Sequence, residues 1–476
     1  MISSKSLAKN FAIQTIGKVV TILMGLVALA LITRTLGTER FGEYTTAITF
    51  LQFFAIIIDF GLSLSILIMI SEAGADEERI VGNFFGLRLI SGFFLFSLAP
   101  ITVLLFPWSQ TIKEAVLIGA VAFFLNGGIS MLGGIFQRHE SMWRSSVAEL
   151  IGRIVFVILV AAFAFTHLGV TAFVWASVIT NIVWLSAIIY FAQTFVRIRP
   201  RFEKNVWKEI FFRSWPLGLS TILNLMYLKG DILILSYFRT QTEVGLYGAT
   251  YRILDVLTTL PFMFIGLLLP SLVFAWTNGN HEQFKNKLSR TFDLFMISVI
   301  PIIVGTQIVG VKLMEFVAGH DYAPGGEILK TLILALFSIV ISVLFGHIVV
   351  VINKQRLMLY GYAAVAILTL IGYFYFIPLY GITGAAWMTV FSETAIAIIT
   401  FATTYYFTRA APNLHVFFKA CLASAMMFGC LQLLPGMHVL FEISIGALIY
   451  LITIFLLKGI HREDINILIP DRFRKL

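Results

Sequence analysis

Several ionisable residues of this sequence sit inside long apolar runs, where a charge is costly and normally faces a partner or a water-filled cavity. Helical spacing shows which way they point. Gln14, Lys18, Thr21 and Gly25 fall at i, i+4, i+7 and i+11, one face of a helix. Thr45, Thr49, Gln52, Asp59 and Ser63 form a second such face. Arg252, Asp255 and Thr259 form a third, and Thr389, Glu393, Thr400 and Thr404 a fourth. Asp231 shares a face with Ser220, Asn224 and Tyr227, whereas Lys229 points nearly the opposite way. Gly230 lies between them as a place where the helix could bend. Arg88 lies near the inner end of its run, close enough to snorkel. Glu149 and Arg153 stand at i and i+4 with the acid first, the favoured order for an intrahelical pair. Asp255 has a similar neighbour in Arg252. A lone polar group in such a helix commonly serves as interhelical glue; charged stripes on several helices argue for a wet cavity. The acids Asp59, Asp231, Asp255 and Glu393 add a specific chemistry, because a buried carboxyl can alternate between protonated and ionised forms. That would couple transport to proton or sodium flow.

The elements that must hold these groups are membrane helices. Of the 476 residues, 59% are hydrophobic and 12% charged, against about a quarter charged in soluble domains. Runs long enough to cross a bilayer lie near 11–33, 44–70, 81–106, 114–135, 147–166, 170–194 and 215–238. Others follow near 247–275, 290–311, 327–352, 357–377, 382–407, 414–434 and 438–458, fourteen spans in all. With the N-terminus inside, twenty-two Lys and Arg fall in inner segments and five, Arg34, Arg40, Lys113, Arg239 and Lys312, in outer ones. That positive-inside bias places both termini in the cytoplasm. The net charge of +9 is then topological, and nucleic acid is not an expected partner. The basic N-terminus precedes a run too long for a signal peptide and is read as the start of a retained first span. Cys421 and Cys430 show no metal or disulfide spacing and read as small apolar fillers.

The second half echoes the first. Phe41-Gly42-Glu43-Tyr44, in the polar island 33–44, returns as Val244-Gly245-Leu246-Tyr247. Gly169-Val170-Thr171 with Trp175 returns as Gly381-Ile382-Thr383 with Trp387, and Gln137-Arg138 as Gln355-Arg356. Each echo lies six spans from its partner, so the halves share one orientation, a parallel repeat. The expected organisation is an all-α integral membrane protein of about fourteen transmembrane helices. It has an N-terminal six-helix lobe (1–196), a basic cytoplasmic linker (197–214), a C-terminal six-helix lobe (215–410), two additional helices (411–458) and a cytoplasmic tail (459–476). The linker reads as topogenic and solvated, with contact to anionic lipid as the alternative; the tail is expected to lie on the membrane surface. In the first outer hairpin, Gly42 is expected to allow a tight turn and Tyr44 to anchor at the interface.

Arg34-Thr35-Leu36-Gly37 with Glu39, then Phe41-Gly42 with Tyr44, and Asp59-Phe60-Gly61-Leu62 resemble the N-terminal signature of the polysaccharide transporters, the Wzx-type O-antigen flippases. Asp231, the Val244–Tyr247 turn and Tyr380-Gly381-Ile382-Thr383-Gly384-Ala385-Ala386 are also similar to that family. It belongs to the multidrug/oligosaccharidyl-lipid/polysaccharide exporter superfamily, and the resemblance covers roughly 8–410; many relatives stop at twelve spans. The resemblance implies a V-shaped pair of lobes and alternating access through a cationic central cavity in the bacterial inner membrane. Its cargo would be an undecaprenyl-pyrophosphate-linked oligosaccharide, for surface polysaccharide synthesis with a polymerase and a chain-length regulator as partners. On that reading Lys18, Arg88, Arg153 and Arg252 line the pyrophosphate path, with Gln14 and Asn224 as hydrogen-bonding groups. Asp59, Asp231, Asp255 and Glu393 are the ion-coupling candidates.

The sequence carries no P-loop, no catalytic Ser/His/Asp arrangement and no metal-ligand spacing; His347 reads as a helix contact. Neither cofactor, resident metal nor enzymatic activity is expected, and the short loops argue against a membrane glycosyltransferase or polymerase. The rivals are a cation-coupled multidrug exporter, which would favour acids over bases in its cavity, and a peptidoglycan-precursor flippase.

Overall fold

In hydrocarbon every backbone N–H and C=O must bond within its own segment, so uninterrupted apolar runs become helices. The computed structural model bears this out across the described residues, 4–433 and 436–459, where every regular element is helical. The helices are α1 (Ser4–Asp59), α2 (Leu62–Ile70), α3 (Glu77–Thr102), α4 (Gln110–Arg138), α5 (Met142–Phe165), α6 (Val170–Ala192) and α7 (Lys204–Phe238). There follow α8 (Gln241–Thr277), α9 (His281–Ala318), α10 (Gly325–Val351), α11 (Gln355–Thr408), α12 (His415–Gln432) and α13 (Val439–Leu456). Side chains are described throughout except at 4–16, Leu64 and several positions of α7 and α8, Asn224 among them. The surface placement expected for the tail falls on 460–476, outside the described residues.

Ten described helices are long and apolar enough to cross a membrane, or eleven if the bent pair in α8 counts as one span. The count falls below the expected fourteen in part because neighbouring runs join, and in part because α7 and α8, several of whose side chains lie outside the described residues, are not fully counted. Span one and the first part of span two are both inside α1, which breaks only at Gly37 (φ 69°, ψ 178°), and the rest of span two is α2. Spans eleven and twelve share α11, which breaks only at Gly381 (φ 56°, ψ −135°). One residue in a conformation that glycine alone adopts freely redirects the chain without an exposed loop.

This corrects the reading of the polar island. The turn is made at Gly37; Gly42 is helical, and what it permits is close approach. A Cβ on Gly42 would fall 1.8 Å from the carbonyl oxygen of Gln241, and one on Gly245 would fall 1.9 Å from that of Thr38. The two echoed segments therefore pack against each other at their glycines. Tyr44 is not exposed as an anchor would be: it is buried and stacks on Phe41.

The chain divides into two compact units, 1–245 and 246–476. The first has a core of Ile66, Phe84, Ile135, Phe136, Ile188 and Ile210. Its linker is held down rather than free. Arg201 donates its N–H to the Gly82 carbonyl (2.9 Å), and Glu203 donates to the Asn83 side chain (2.8 Å). Trp207 Nε1 donates to the Asn83 carbonyl (3.1 Å), and Arg79 pairs with the Glu203 carboxylate. The Arg79 guanidinium, then the Asn83 amide, hold the Glu203 carboxyl below its ordinary range. In the second unit α9 packs against α10 and α12, and α10 against α11. The two additional helices are fastened to α9: Lys312 pairs with buried Glu442, and Tyr450 donates to the Ile297 carbonyl at 2.7 Å. Lys312, expected in an outer segment, belongs to α9.

The two glycine roles differ in cost. Nothing lies within 4 Å of a Cβ at Gly37, so Gly37→Ala bears only backbone strain, about 1–3 kcal/mol in this essentially glycine-only region of φ/ψ. Gly42→Ala must displace a backbone carbonyl and is expected to lower the unfolding temperature in detergent further. The opposite ranking would contradict the assignment.

Candidate functional site

Asp59 is the last residue of α1, where the helix dipole disfavours an anion. The chain then turns through Phe60 (φ 38°) and Gly61 (φ 79°), both left-handed, into α2. This turn, the Asp59-Phe60-Gly61 signature, brings the carboxylate to Arg88 of α3, with Nη1 3.5 Å from Oδ1. Ser63 Oγ donates to the same Oδ1 at 2.5 Å. Arg88 is 6% exposed, so it is held inside rather than snorkelling out. It lies flat on α4 at Gly127, where a Cβ would come 2.3 Å from Nη2. Two residues assigned separately from sequence, one to ion coupling and one to substrate, thus form one pair, its guanidinium buried and its carboxylate partly exposed.

Lys18 pairs with Glu149 of α5 at 3.7 Å, and both remain partly exposed. Glu149 thus pairs with a residue of a neighbouring helix; Arg153, one turn on, is half-buried. Thr21 donates back to the Gly17 carbonyl (2.7 Å), and Gly25 faces open space. Along this face Lys18 and Gly25 are partly exposed, while Thr21 is buried. Gln14 and Asn224 lie outside the residues whose side chains are described. Asp231 is fully buried, and its Oδ1 accepts the N–H of Ile232 at 2.8 Å. α7 runs helical without interruption through Gly230, so the bend that would bring Lys229 round beside Asp231 is not made there.

In the second unit Glu393 of α11 is 3% exposed. Its Oε1 has no hydrogen-bond partner among the described residues. Around it on α11 runs a buried column of Thr389, Ser392, Thr400 and Thr404. Tyr247 of α8 meets Thr389 at 3.1 Å, Ser338 of α10 meets Thr394 at 2.9 Å, and Thr404 donates to the Phe345 carbonyl at 3.3 Å. These hydroxyls are satisfied by one another and by backbone, which leaves the carboxyl as the unsatisfied group. A buried, unpaired charge is strongly disfavoured, so this carboxyl must be neutralised by a proton or balanced by a cation. Arg252 is exposed and Asp255 half-buried on α8.

Sequence reasoning missed Tyr247 as a partner of this column, noting it only as an echo of Tyr44. It also missed the Lys312–Glu442 pair. A lone acid in the apolar stretch Phe441–Tyr450 was the available signal.

A family model described as polysaccharide biosynthesis protein matches residues 7–276. The succinoglycan biosynthesis transport protein ExoT of Rhizobium meliloti (strain 1021) is 20% identical, over 70% of this chain and 67% of its own. A putative O-antigen transporter of Shigella flexneri is 21% identical, over 80% of this chain and 93% of its own. Among solved structures, the lipid II flippase MurJ in an inward closed conformation superposes with a TM-score of 0.74 at 16% identity, covering 92% of this chain and 97% of its own. At that identity the likeness is one of fold.

Removing the partner of a buried charge strands that charge, at a cost that reaches about 3–5 kcal/mol when both groups are buried. Asp59→Ala leaves Arg88 buried and alone, and should lower the unfolding temperature more than the double variant Asp59→Leu/Arg88→Met. Equal or reversed losses in thermal unfolding would show that the pair is not coupled.

Proposed function

Because this chain belongs to the polysaccharide biosynthesis protein family of membrane transporters, the Wzx-type branch of the exporter superfamily, we propose that it flips polyprenyl-pyrophosphate-linked oligosaccharide repeat units across the cytoplasmic membrane. The product would feed surface polysaccharide such as O-antigen, capsule or exopolysaccharide. Names of the relatives support this class of cargo: one is a succinoglycan transport protein, another a putative O-antigen transporter. The observation that carries the choice is the retention of basic groups within membrane helices, Arg88 above all. A pyrophosphate must leave the inner headgroup region, and cations along its path lower that barrier. Partly exposed Lys18 of α1, Arg153 and exposed Arg252 are the other groups of this path, with Gln14 and Asn224 as hydrogen-bonding neighbours. An exporter of cationic drugs would favour the opposite sign.

Transport would proceed by alternating access, with both termini cytoplasmic. Glu393 is the leading ion-coupling residue, since its carboxyl must take a proton or cation to remain where it is. Asp231 and Asp255 are further candidates. Asp59, already paired with Arg88, would couple by releasing that arginine when protonated. Polymerase and chain-length regulator are the expected partners in the membrane.

A deletion strain tests the reading. Polyprenyl-linked oligosaccharide should accumulate in extracted lipids while surface polymer is lost, and mass spectrometry of that lipid identifies the cargo. Unchanged lipid and polymer with new sensitivity to cationic drugs would move the chain to the multidrug branch; cell lysis with accumulated wall precursor would make it a peptidoglycan-precursor flippase. In the same strain, Asp59→Asn and Glu393→Gln should each abolish complementation. Full activity of both would remove ion coupling.

A further inference from the structure

The basic linker and the start of α7 present a surface that the transport path does not use. Arg197 and Arg199 are exposed on either side of Ile198, in extended chain leading to Pro200. Lys204 and Lys208 follow at i and i+4 on the first turns of α7, also exposed. None of these four cations has an ion-pair partner among the described residues, whereas nearby Arg79 and Arg213 are neutralised by Glu203, Glu72 and Glu209.

The same helical face continues with Phe211, Phe212 and Trp215, which are 54%, 60% and 44% exposed. Phe202, just before the helix, is 56% exposed. The opposite face is the one that packs. Trp207 bonds to the Asn83 carbonyl, Ile210 is fully buried, and Ser214 donates to Ser65 at 2.8 Å. A helix that buries one side and offers Lys, Lys, Phe, Phe, Trp on the other does not present a water-facing surface. Amphipathic segments at a membrane interface place basic residues at headgroup level and aromatic rings just below.

Two further features argue for a built surface. The linker is fixed to α3 by hydrogen bonds through Gly82, Asn83 and Arg79. Glycine at 82 and 86 is what allows the linker backbone to lie there, since a Cβ would come 2.5 Å from the Arg199 carbonyl oxygen and 2.1 Å from that of Arg201. Order is therefore paid in advance, and the unpaired cations are the part left over for a ligand.

We infer that residues 197–215 form a preorganised docking surface for the headgroups of anionic phospholipids. Arg197, Arg199, Lys204 and Lys208 meet the phosphates, and Phe202, Phe211, Phe212 and Trp215 enter the interface beneath them. This does not depend on the cargo proposed above; it requires only that the linker face the membrane surface. It takes up the contact with anionic lipid that the sequence offered as the alternative to a solvated linker.

The test uses the purified full-length chain in nanodiscs of equal phosphatidylglycerol and phosphatidylcholine, extracted gently and weighed by native mass spectrometry. The intact chain should retain phosphatidylglycerol in excess. Since each basic residue near an anionic surface gives roughly a five-fold preference, the variant Arg197→Gln/Arg199→Gln/Lys204→Gln/Lys208→Gln should lose at least about five-fold of that enrichment. Arg197→Lys/Arg199→Lys should keep it. Raising salt should reduce the enrichment of the unmodified chain, because exposed charges are screened; this arm holds even if the quadruple variant fails to fold. Undiminished enrichment in a folded quadruple variant, or enrichment insensitive to salt, would overturn the proposal. So would displacement of the lipid by inorganic phosphate at constant ionic strength, which would indicate a pocket for a single phosphate. The deletion-strain outcome leaves all of these readouts unchanged, so the two proposals fail separately.

Discussion

A chain surrounded by hydrocarbon cannot leave its backbone polar groups unbonded, and most of this structure follows from how it changes direction under that rule. Gly37 and Gly381 each reorient a helix with one residue, so α1 and α11 run 56 and 54 residues with a single break apiece. The Phe60–Gly61 turn uses two left-handed residues for the same purpose. Glycines elsewhere act through contact: Gly42 against the backbone of Gln241, Gly127 under the guanidinium of Arg88. Short turns keep the elements adjacent, and adjacency lets charges on different helices find one another.

Pairing of those charges follows a pattern. Arg88 meets Asp59, Lys18 meets Glu149, and Lys312 meets Glu442, each across helices. Burial of a lone charge is prohibitive and burial of a pair merely expensive, so such pairs persist where they hold elements in place or where one member changes partner. The Lys312–Glu442 pair suits the first role, since it fastens α13 to α9. Arg88–Asp59 has features of both, because it closes a helix end that the dipole makes unfavourable for an acid and also sets a guanidinium at membrane depth. Glu393 breaks the pattern by having no ion-pair partner among the described residues, which is why ion coupling is proposed there first.

Much of this was legible in the sequence, for identifiable reasons. Apolar runs and their polar interruptions located the helices, because a transmembrane helix is decided by about twenty consecutive residues. The Asp59-Phe60-Gly61-Leu62 signature and the polar stripe through Glu393 were visible because both are local. What sequence could not supply was the partner. The i, i+4 rule matched Glu149 with Arg153, and only packing shows Lys18 beside it. Nor does a glycine declare its use: Gly42 was given the turn that Gly37 makes, since freedom of φ and absence of a side chain look alike in one letter. Nor could sequence show what holds the linker in place, its hydrogen bond to Asn83 being a contact across 120 residues.

The most direct measurement is reconstitution. Purified chain is placed in proteoliposomes loaded on both leaflets with the lipid-linked oligosaccharide extracted from the deletion strain, and a membrane-impermeant glycosidase is added outside. The account predicts that nearly all the oligosaccharide becomes cleavable with the unmodified chain, and only the outer-leaflet half in liposomes carrying Lys18→Glu. Cleavage that stops at the outer-leaflet half with the unmodified chain, as in protein-free liposomes, would contradict flipping of this cargo.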